Sequence, residues 1–116
     1  MSANKQTVAQ YMDGFRECNH SQVLSCLTDD VEWDLPGMFH LIGKAAFDKE
    51  IENPAFVGRP TIAITRMTEE ADVVVAEGTV HSQRRAGGFL RAAFCDVFVM
   101  DKAKIRRVTS YLAELK

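Results

Sequence analysis

The 116-residue sequence lacks the features that would point to several classes of protein. No apolar run approaches the roughly 18 residues of a membrane-spanning helix. The first ten residues, MSANKQTVAQ, are polar, so we predict no signal peptide. The three cysteines and three histidines have no metal-ligand spacing, and we expect neither a metal ion nor another cofactor. An odd number of cysteines in apolar surroundings indicates free thiols in a reducing compartment, so we expect a cytoplasmic protein.

Clustered positive charge is missing as well. The net charge is -2, and the 14 Lys and Arg residues are scattered except at Arg84–Arg85 and Lys104–Arg107. We therefore expect no nucleic-acid partner. A phosphate-binding glycine loop is also not predicted, because Gly87–Gly88 lies in a hairpin turn. The composition, 47% hydrophobic and 26% charged, is ordinary for a globular protein and predicts a single domain over residues 1–116.

The spacing of apolar residues changes from helical to extended along the chain. They first recur at steps of three and four, at Val8, Tyr11, Met12, Phe15 and Cys18, which predicts an amphipathic helix. Further predicted elements are a second helix from Asn19 or Ser21 to Thr28–Asp30, a strand at Val31–Leu35, a third helix at Gly43–Asn53, and strands at Thr61–Thr68, Asp72–Gln83, Phe89–Met100 and Lys104–Leu115. Helices followed by consecutive strands predict an α+β fold, with three helices packed on a strongly curved antiparallel sheet.

The segment FCDVFVM, residues 94–100, places one carboxylate in an apolar strand. Both faces of this strand are apolar, which is typical of an interior strand covered on two sides. An ionised Asp96 there costs several kcal/mol unless it is paired or protonated. Two interpretations stay open: Asp96 is a structural acid with a backbone or Arg partner, or it faces a pocket with a raised pKa.

A resemblance covers nearly the whole chain. The order of elements and the phrases YMDGF, VLSCLTDDVEW, GKAAF and FCDVFVMDKAKIRRVTSYL resemble the nuclear-transport-factor-2-like superfamily, in particular its SnoaL-like and ketosteroid-isomerase-like proteins. The resemblance implies that the helices and the bent sheet form a cone with an apolar internal pocket. It also implies a homodimer through the outer face of the sheet, a face that the apolar pattern of the interior strands leaves in need of cover.

The resemblance further implies two hydrogen-bond donors in the pocket. Ketosteroid isomerases build an oxyanion hole from a Tyr on the first helix and a protonated Asp on a late strand. Tyr11 and Asp96 match these positions. The base of those enzymes precedes the proline that ends the first strand, but here that residue is Leu35, and Asp34 is one step early. If Trp33 and Leu35 face inward, the alternation of a strand turns Asp34 outward.

Other residues are candidates for the base or for the pocket wall. His40 follows the proline, near the expected mouth of the pocket. Glu77 and His81 share one face of their strand, and alternation alone does not decide whether this face is the inside of the cone or its outside. The expected wall consists of large residues in apolar patterns together with this acid, although the aromatic ones could equally fill the core: Phe15, Trp33, Phe47, Phe56, Glu77, Phe94, Phe98 and Tyr111.

Two functions from different classes are consistent with this sequence. The first is proton transfer on a small, mostly apolar carbonyl or hydroxyl compound, by an isomerase, cyclase or dehydratase, with Tyr11 and Asp96 as donors. The second is a non-catalytic dimeric domain that binds such a ligand or assembles with itself. A base within reach of the bound ligand distinguishes them. If Asp34, Glu77 and His40 all lie outside the cavity, this counts heavily against the enzyme.

Overall fold

The computed structural model describes residues 1–116 and contains three helices and six strands. In chain order these are α1 (Ala3–Arg16), α2 (His20–Ser25), β1 (Leu27–Leu35), β2 (Phe39–Ile42), α3 (Lys44–Ile51), β3 (Phe56–Glu70), β4 (Val73–Arg84), β5 (Phe89–Asp101) and β6 (Lys104–Glu114). The predicted α+β class is confirmed. None of the three helices is both long and apolar enough to cross a membrane.

Helices α1 and α2 begin where side chains satisfy free backbone amides. The hydroxyl of Ser2 accepts a hydrogen bond from the amide of Lys5, and the Asn19 side chain accepts one from the amide of Gln22. Helix α2 is shorter than predicted and ends before Cys26. The reason is a tertiary contact, because the Cys26 carbonyl accepts a hydrogen bond from the amide of Ile105 and thereby starts β1 beside β6.

The six strands form one open sheet in the order β2-β1-β6-β5-β4-β3. Neighbouring strands are antiparallel except β1 and β6, which run parallel. The sequence pattern predicted neither this parallel pair nor the short strand β2. The close approach of β3 to β4 depends on Gly78, since a Cβ at this position would overlap the carbonyl oxygen of Ala63. A register shift between Ile64 and Arg66 lies beside it and bends the sheet.

Helix α1 is fixed across the concave face of the sheet at both ends. The Thr7 hydroxyl donates to the carbonyl oxygen of Ala103 at 2.7 Å, and Arg16 Nε donates to the carbonyl oxygen of Ile62 at 2.8 Å. Between these anchors the helices and the sheet enclose one apolar core. Its largest fully buried side chains include Phe47 of α3 and Phe98 of β5.

Strand β5 lies between β4 and β6, so its predicted interior position is confirmed, but within the chain only one of its two faces is covered. Its inward residues Phe94 and Phe98 are buried, whereas Cys95, Val97 and Val99 on the outer face stay half-exposed. Asp96 therefore points to the concave side, toward the helices.

Candidate functional site

Tyr11 and Asp96 reach the interior of the cone from opposite layers, Tyr11 from α1 and Asp96 from β5. Tyr11 is only 2% exposed, and its ring centroid lies 4.9 Å from that of Phe15 and 5.3 Å from that of Phe98. Burial raises the pKa of the Tyr11 hydroxyl well above its ordinary value, and the nearby charge of Asp96 raises it further. The hydroxyl therefore stays protonated at neutral pH and can donate a hydrogen bond.

The Tyr11 hydroxyl is free to bind a ligand. It forms no hydrogen bond with another protein group. Arg107 Nε is the only fully buried side-chain nitrogen or oxygen that lacks a partner, so the Tyr11 hydroxyl is not fully buried. The hydroxyl therefore belongs to the 2% of Tyr11 that is exposed. A buried tyrosine usually satisfies its hydroxyl within the protein, so an available donor inside an apolar cone indicates a binding position.

Asp96 is half-buried, and its apolar surroundings raise the pKa of its carboxyl to about 6. A hydrogen bond from Ser110, the residue opposite Asp96 in the β5–β6 pair, lowers this pKa and so offsets part of the effect of burial. At pH 7 a group with this pKa is about nine-tenths ionised. Asp96 of the free protein is then mainly an acceptor, whereas the resemblance implied a protonated donor.

Trp33 and Ser110 complete the polar groups of the site. Trp33 Nε1 donates a hydrogen bond to Ser110 Oγ at 3.0 Å. The indole is held in place by stacking on Phe47, with a centroid distance of 4.5 Å, and by edge contacts with Phe15 and Phe39. Trp33 therefore faces inward on β1. Because side chains alternate along a strand, its neighbour Asp34 faces outward.

The walls around these groups are apolar and partly open. Half-exposed side chains that pack against the core include Phe15, Trp33, Ile62, Ile64 and Val80. A cleft of about 160 Å³ reaches Ser110 between the β1–β2 turn and the end of β6, and its lining is Leu35, Pro36, Met38, Ser110, Tyr111 and Leu112. Its lining includes neither Tyr11 nor Asp96, so this cleft approaches the site only at Ser110.

The aromatic residues expected in the wall divide into several groups. Phe15 and Trp33 are half-exposed around the site, and Phe94 is 8% exposed on the same inner face. Phe47 and Phe98 are fully buried, so they fill the core. The half-buried Phe56 pairs with Arg84 at the start of β3.

Two residues expected in the wall lie on the outer face of the sheet. Val74 and Ala76 are fully buried on the inner face of β4. Glu77 follows Ala76, so by the alternation of a strand it points outward. There Glu77 Oε2 accepts a hydrogen bond from Arg66 Nε at 2.6 Å. The same alternation turns Tyr111 outward, where it is 54% exposed, because its neighbour Ser110 is buried on the inner face.

The other candidates for a base also lie outside the cone. Asp34 and His40 are paired across β1 and β2 on the face opposite Trp33, and His40 Nε2 is 3.9 Å from Glu32 Oε1. His81 is on the outer face of β4 and packs on Phe89. Asp96 is thus the carboxylate that meets Tyr11, and no second base is placed beside it. No group of three or more His, Cys, Asp or Glu side chains has the arrangement of a metal site.

Comparison with known proteins assigns the family. A sequence description of the SnoaL-like domain matches residues 8–108. The chain belongs to the SnoaL-like domain family. Its resemblance to nuclear-transport-factor-2-like, SnoaL-like and ketosteroid-isomerase-like proteins is therefore confirmed for the fold. No curated protein matches this SnoaL-like sequence significantly.

Three solved structures illustrate the SnoaL-like fold. A nuclear-transport-factor-2-like protein of unknown function from Burkholderia pseudomallei K96243 is 20% identical, with a TM-score of 0.88 over 97% of this chain and 92% of that chain. TerC, crystallised with polyporic acid, is 24% identical, with a TM-score of 0.83 over 94% and 90%. A provisionally assigned ketosteroid isomerase from Kribbella flavida DSM 17836 is 16% identical, with a TM-score of 0.77 over 98% and 80%. At these identities the likeness establishes the fold alone.

Proposed function

We propose that this protein binds a small, mostly apolar molecule that carries a hydroxyl group next to a carbonyl group. The observation that supports this most is the available Tyr11 hydroxyl beside the Asp96 carboxyl in an apolar interior. Tyr11 donates to the carbonyl oxygen of the ligand, and ionised Asp96 accepts from its hydroxyl. The apolar walls, to which Phe15 and Trp33 contribute, bind the rest of the molecule.

The fold of a structural neighbour supports this ligand class in general terms. TerC has been crystallised with polyporic acid, so a protein of the same fold and a similar size holds a small organic molecule. The requirement for one acceptor and one donor on the ligand comes from the residues of this chain. A molecule with only a carbonyl group would leave Asp96 without its partner, and desolvating an unpaired carboxylate is unfavourable.

Catalysis of proton transfer is the second candidate, and it needs Asp96 itself as the base. Asp34, Glu77 and His40 all point outward, which counts heavily against an enzyme, as expected from the sequence, and leaves no separate base for the isomerase arrangement. A carboxyl with a pKa of about 6, however, is suited to accept and return a proton near neutral pH. Tyr11 would stabilise the enolate that forms, as in a cyclase or dehydratase step on a bound carbonyl compound.

The binding proposal is tested by titrating 2-hydroxyacetophenone and acetophenone into the protein by calorimetry, with the fluorescence of the single Trp33 as a second signal. We expect Tyr11→Phe and Asp96→Asn each to weaken binding of the hydroxyketone about tenfold, since the first loses one hydrogen bond and the second replaces a charged acceptor with a weaker neutral one. Acetophenone should bind more weakly and respond only to Tyr11→Phe. The matched control Asp34→Asn makes the same change of group on the outer face and should bind like the wild type.

Equal affinity in the wild type, Tyr11→Phe and Asp96→Asn, or no binding by the wild type, would refute the proposed ligand class. The catalytic candidate is tested separately by following, with NMR, the exchange with deuterium of the protons on the carbon next to the ketone of the bound compound. Exchange above the buffer rate that is lost in Asp96→Asn supports it, and exchange at the buffer rate argues for binding alone.

The partner of the outer sheet face is, in this proposal, a second copy of the chain. Half-exposed apolar residues form a continuous patch there: Val73, Val75, Cys95, Val97 and Val99. The ion pair between Arg66 and Glu77 on the same face is internally neutral, which limits repulsion between two copies. Sedimentation at micromolar concentration should show a dimer that Val97→Glu dissociates, whereas Leu115→Glu at the chain end should not. A wild-type monomer would refute the dimer.

A further inference from the structure

Ser110 occupies a position that no simple packing role explains. It is 5% exposed, and it lies on the inner face of β6 directly opposite Asp96. Its neighbours on this face, Val108 and Leu112, are apolar. A hydroxyl in such a row loses hydration on folding, so it needs partners on the inner face.

Two partners are available, one on each side of the hydroxyl. Trp33 Nε1–H donates to Ser110 Oγ at 3.0 Å, and an indole can only donate. A serine hydroxyl has a single hydrogen, and while its oxygen accepts from Trp33 this hydrogen is directed to another acceptor. On the inner face the residue directly opposite Ser110 is Asp96, whose pKa Ser110 lowers, so its carboxyl is the candidate acceptor.

The geometry points to a hydrogen-bond relay, from Trp33 through Ser110 to Asp96, in which Ser110 is a positioning residue that holds Asp96 as an oriented carboxylate. The assignment deepens the proposed function, on which its role in ligand binding rests. Ser110 binds one side of the carboxylate, and the remaining lone pairs accept the hydroxyl of the ligand. Trp33 contributes at a distance by fixing the direction of the Ser110 hydroxyl.

The surroundings of Asp96 offer few alternatives to Ser110. From α1 the facing titratable group is Tyr11, whose hydroxyl is left for the ligand. Cys26, at the end of α2, is close enough to act on Tyr11, and Cys95, next in the chain to Asp96, points to the outer face. From β4 the cross-strand neighbour is Ala76, which has no polar side chain. The charge of Asp96 thus depends on Ser110 for support from a side chain.

The experiment is a pH titration of the Asp96 carboxyl in the free protein by NMR, with ¹³C-labelled aspartate and Asp96→Asn to assign the signal. We expect Ser110→Ala to raise the pKa of Asp96 by about one unit, since it removes a hydrogen bond to the charged form. Ser110→Thr keeps the hydroxyl and should restore most of the wild-type value. The matched control Thr109→Ala, one residue away on the outer face, should leave it unchanged.

The contribution of Trp33 is isolated by a double-mutant cycle. Trp33→Phe should raise the pKa of Asp96 when Ser110 is present and have no further effect in Ser110→Ala. An unchanged pKa in Ser110→Ala, or an equal effect of Trp33→Phe with and without the hydroxyl, would overturn the relay. Thermal melts and amide spectra confirm that each variant is folded, and Ser110→Cys, whose thiol is a much weaker donor of similar size, replaces Ser110→Ala in the comparison if the alanine variant is not.

The outcome does not depend on the ligand being correct. The titration uses the unliganded protein, so a shifted pKa without any affinity for 2-hydroxyacetophenone would keep the relay and refute the proposed ligand. Where binding occurs, Ser110→Ala should move the pH at which affinity is lost upward by the same amount as the pKa, a shift that a purely structural role would not produce.

Discussion

The replacement Asp96→Asn should stabilise the protein at high pH and have little effect at low pH. The pKa of Asp96 rises from 3.8 to about 6 on folding, mainly because burial disfavours the charged form. The folded state therefore binds a proton more tightly than the unfolded state does. The resulting stabilisation is fully present below about pH 3.8 and is lost as the pH rises through about 6.

The size of the effect follows from this difference. About two pKa units correspond to about 3 kcal/mol, at about 1.36 kcal/mol per unit. An asparagine has nearly the same shape and no charge to desolvate, so at pH 8 we expect the variant to be more stable than the wild type by about 2–3 kcal/mol. For a domain of this length that is a rise of about 10 °C in the melting temperature.

Urea unfolding at pH 4.0 and pH 8.0 provides the measurement, with Asp101→Asn in the exposed β5–β6 turn as the control. The difference between Asp96→Asn and the wild type should be large at pH 8.0 and within about 1 kcal/mol at pH 4.0. A variant that is less stable than the wild type at both pH values would refute the reasoning. Asp96 would then be a structural acid whose charge is fully satisfied by partners.

Three further substitutions test other parts of the fold. His20→Gln should lower the melting temperature at pH 5.5 more than at pH 8.5, because its hydrogen bond to Asp48 raises the pKa of His20, and this stabilisation is lost as the pH rises through that pKa. Gly78→Ala should cost about 3 kcal/mol or more in urea unfolding, since its Cβ would overlap Ala63; unchanged stability would contradict the bend described here. Phe47→Ala should cost about 3–5 kcal/mol by the same assay, and a loss below about 1 kcal/mol would argue that the cone is not filled there.

The fold was predictable because local signals and tertiary packing agree over most of the chain. The helical spacing around Tyr11 marks the face of α1 that is buried in the structure. In FCDVFVM both faces are apolar, and within the chain only the face with Phe94 and Phe98 is buried. Contacts distant in sequence were not predictable. The parallel pairing of β1 with β6, which also shortens α2, depends on a hydrogen bond between Cys26 and Ile105 that no local pattern indicates.

The site was predictable only in part, for the same physical reason. Resemblance and pattern both indicated Tyr11 and Asp96, but the inward or outward direction of Glu77 depends on which face of β4 the helices cover. Ser110 was missed. Counting back from the turn, where Asp101 pairs with Lys104, would place Thr109 opposite Asp96. A register shift next to Met100 moves the partner by one residue to Ser110, and one residue exchanges the faces of a strand.

The cost of Asp96 to stability is itself an argument about function. A domain of this size has a free energy of unfolding of about 5–15 kcal/mol, so about 3 kcal/mol at neutral pH is a substantial fraction. A structural acid would reduce this cost with several donors, as Glu69 does with Ser2 and Asn4 on the surface. Asp96 has a single side-chain hydrogen bond, from Ser110, and the Tyr11 hydroxyl, which is close enough to respond to the charge of Asp96, has no partner. Two polar groups that keep bonding capacity in one apolar interior are arranged for a third molecule, and a ligand that bridges them would restore part of the lost stability. Added 2-hydroxyacetophenone should therefore raise the melting temperature of the wild type more at pH 8 than at pH 4, where protonated Asp96 no longer accepts.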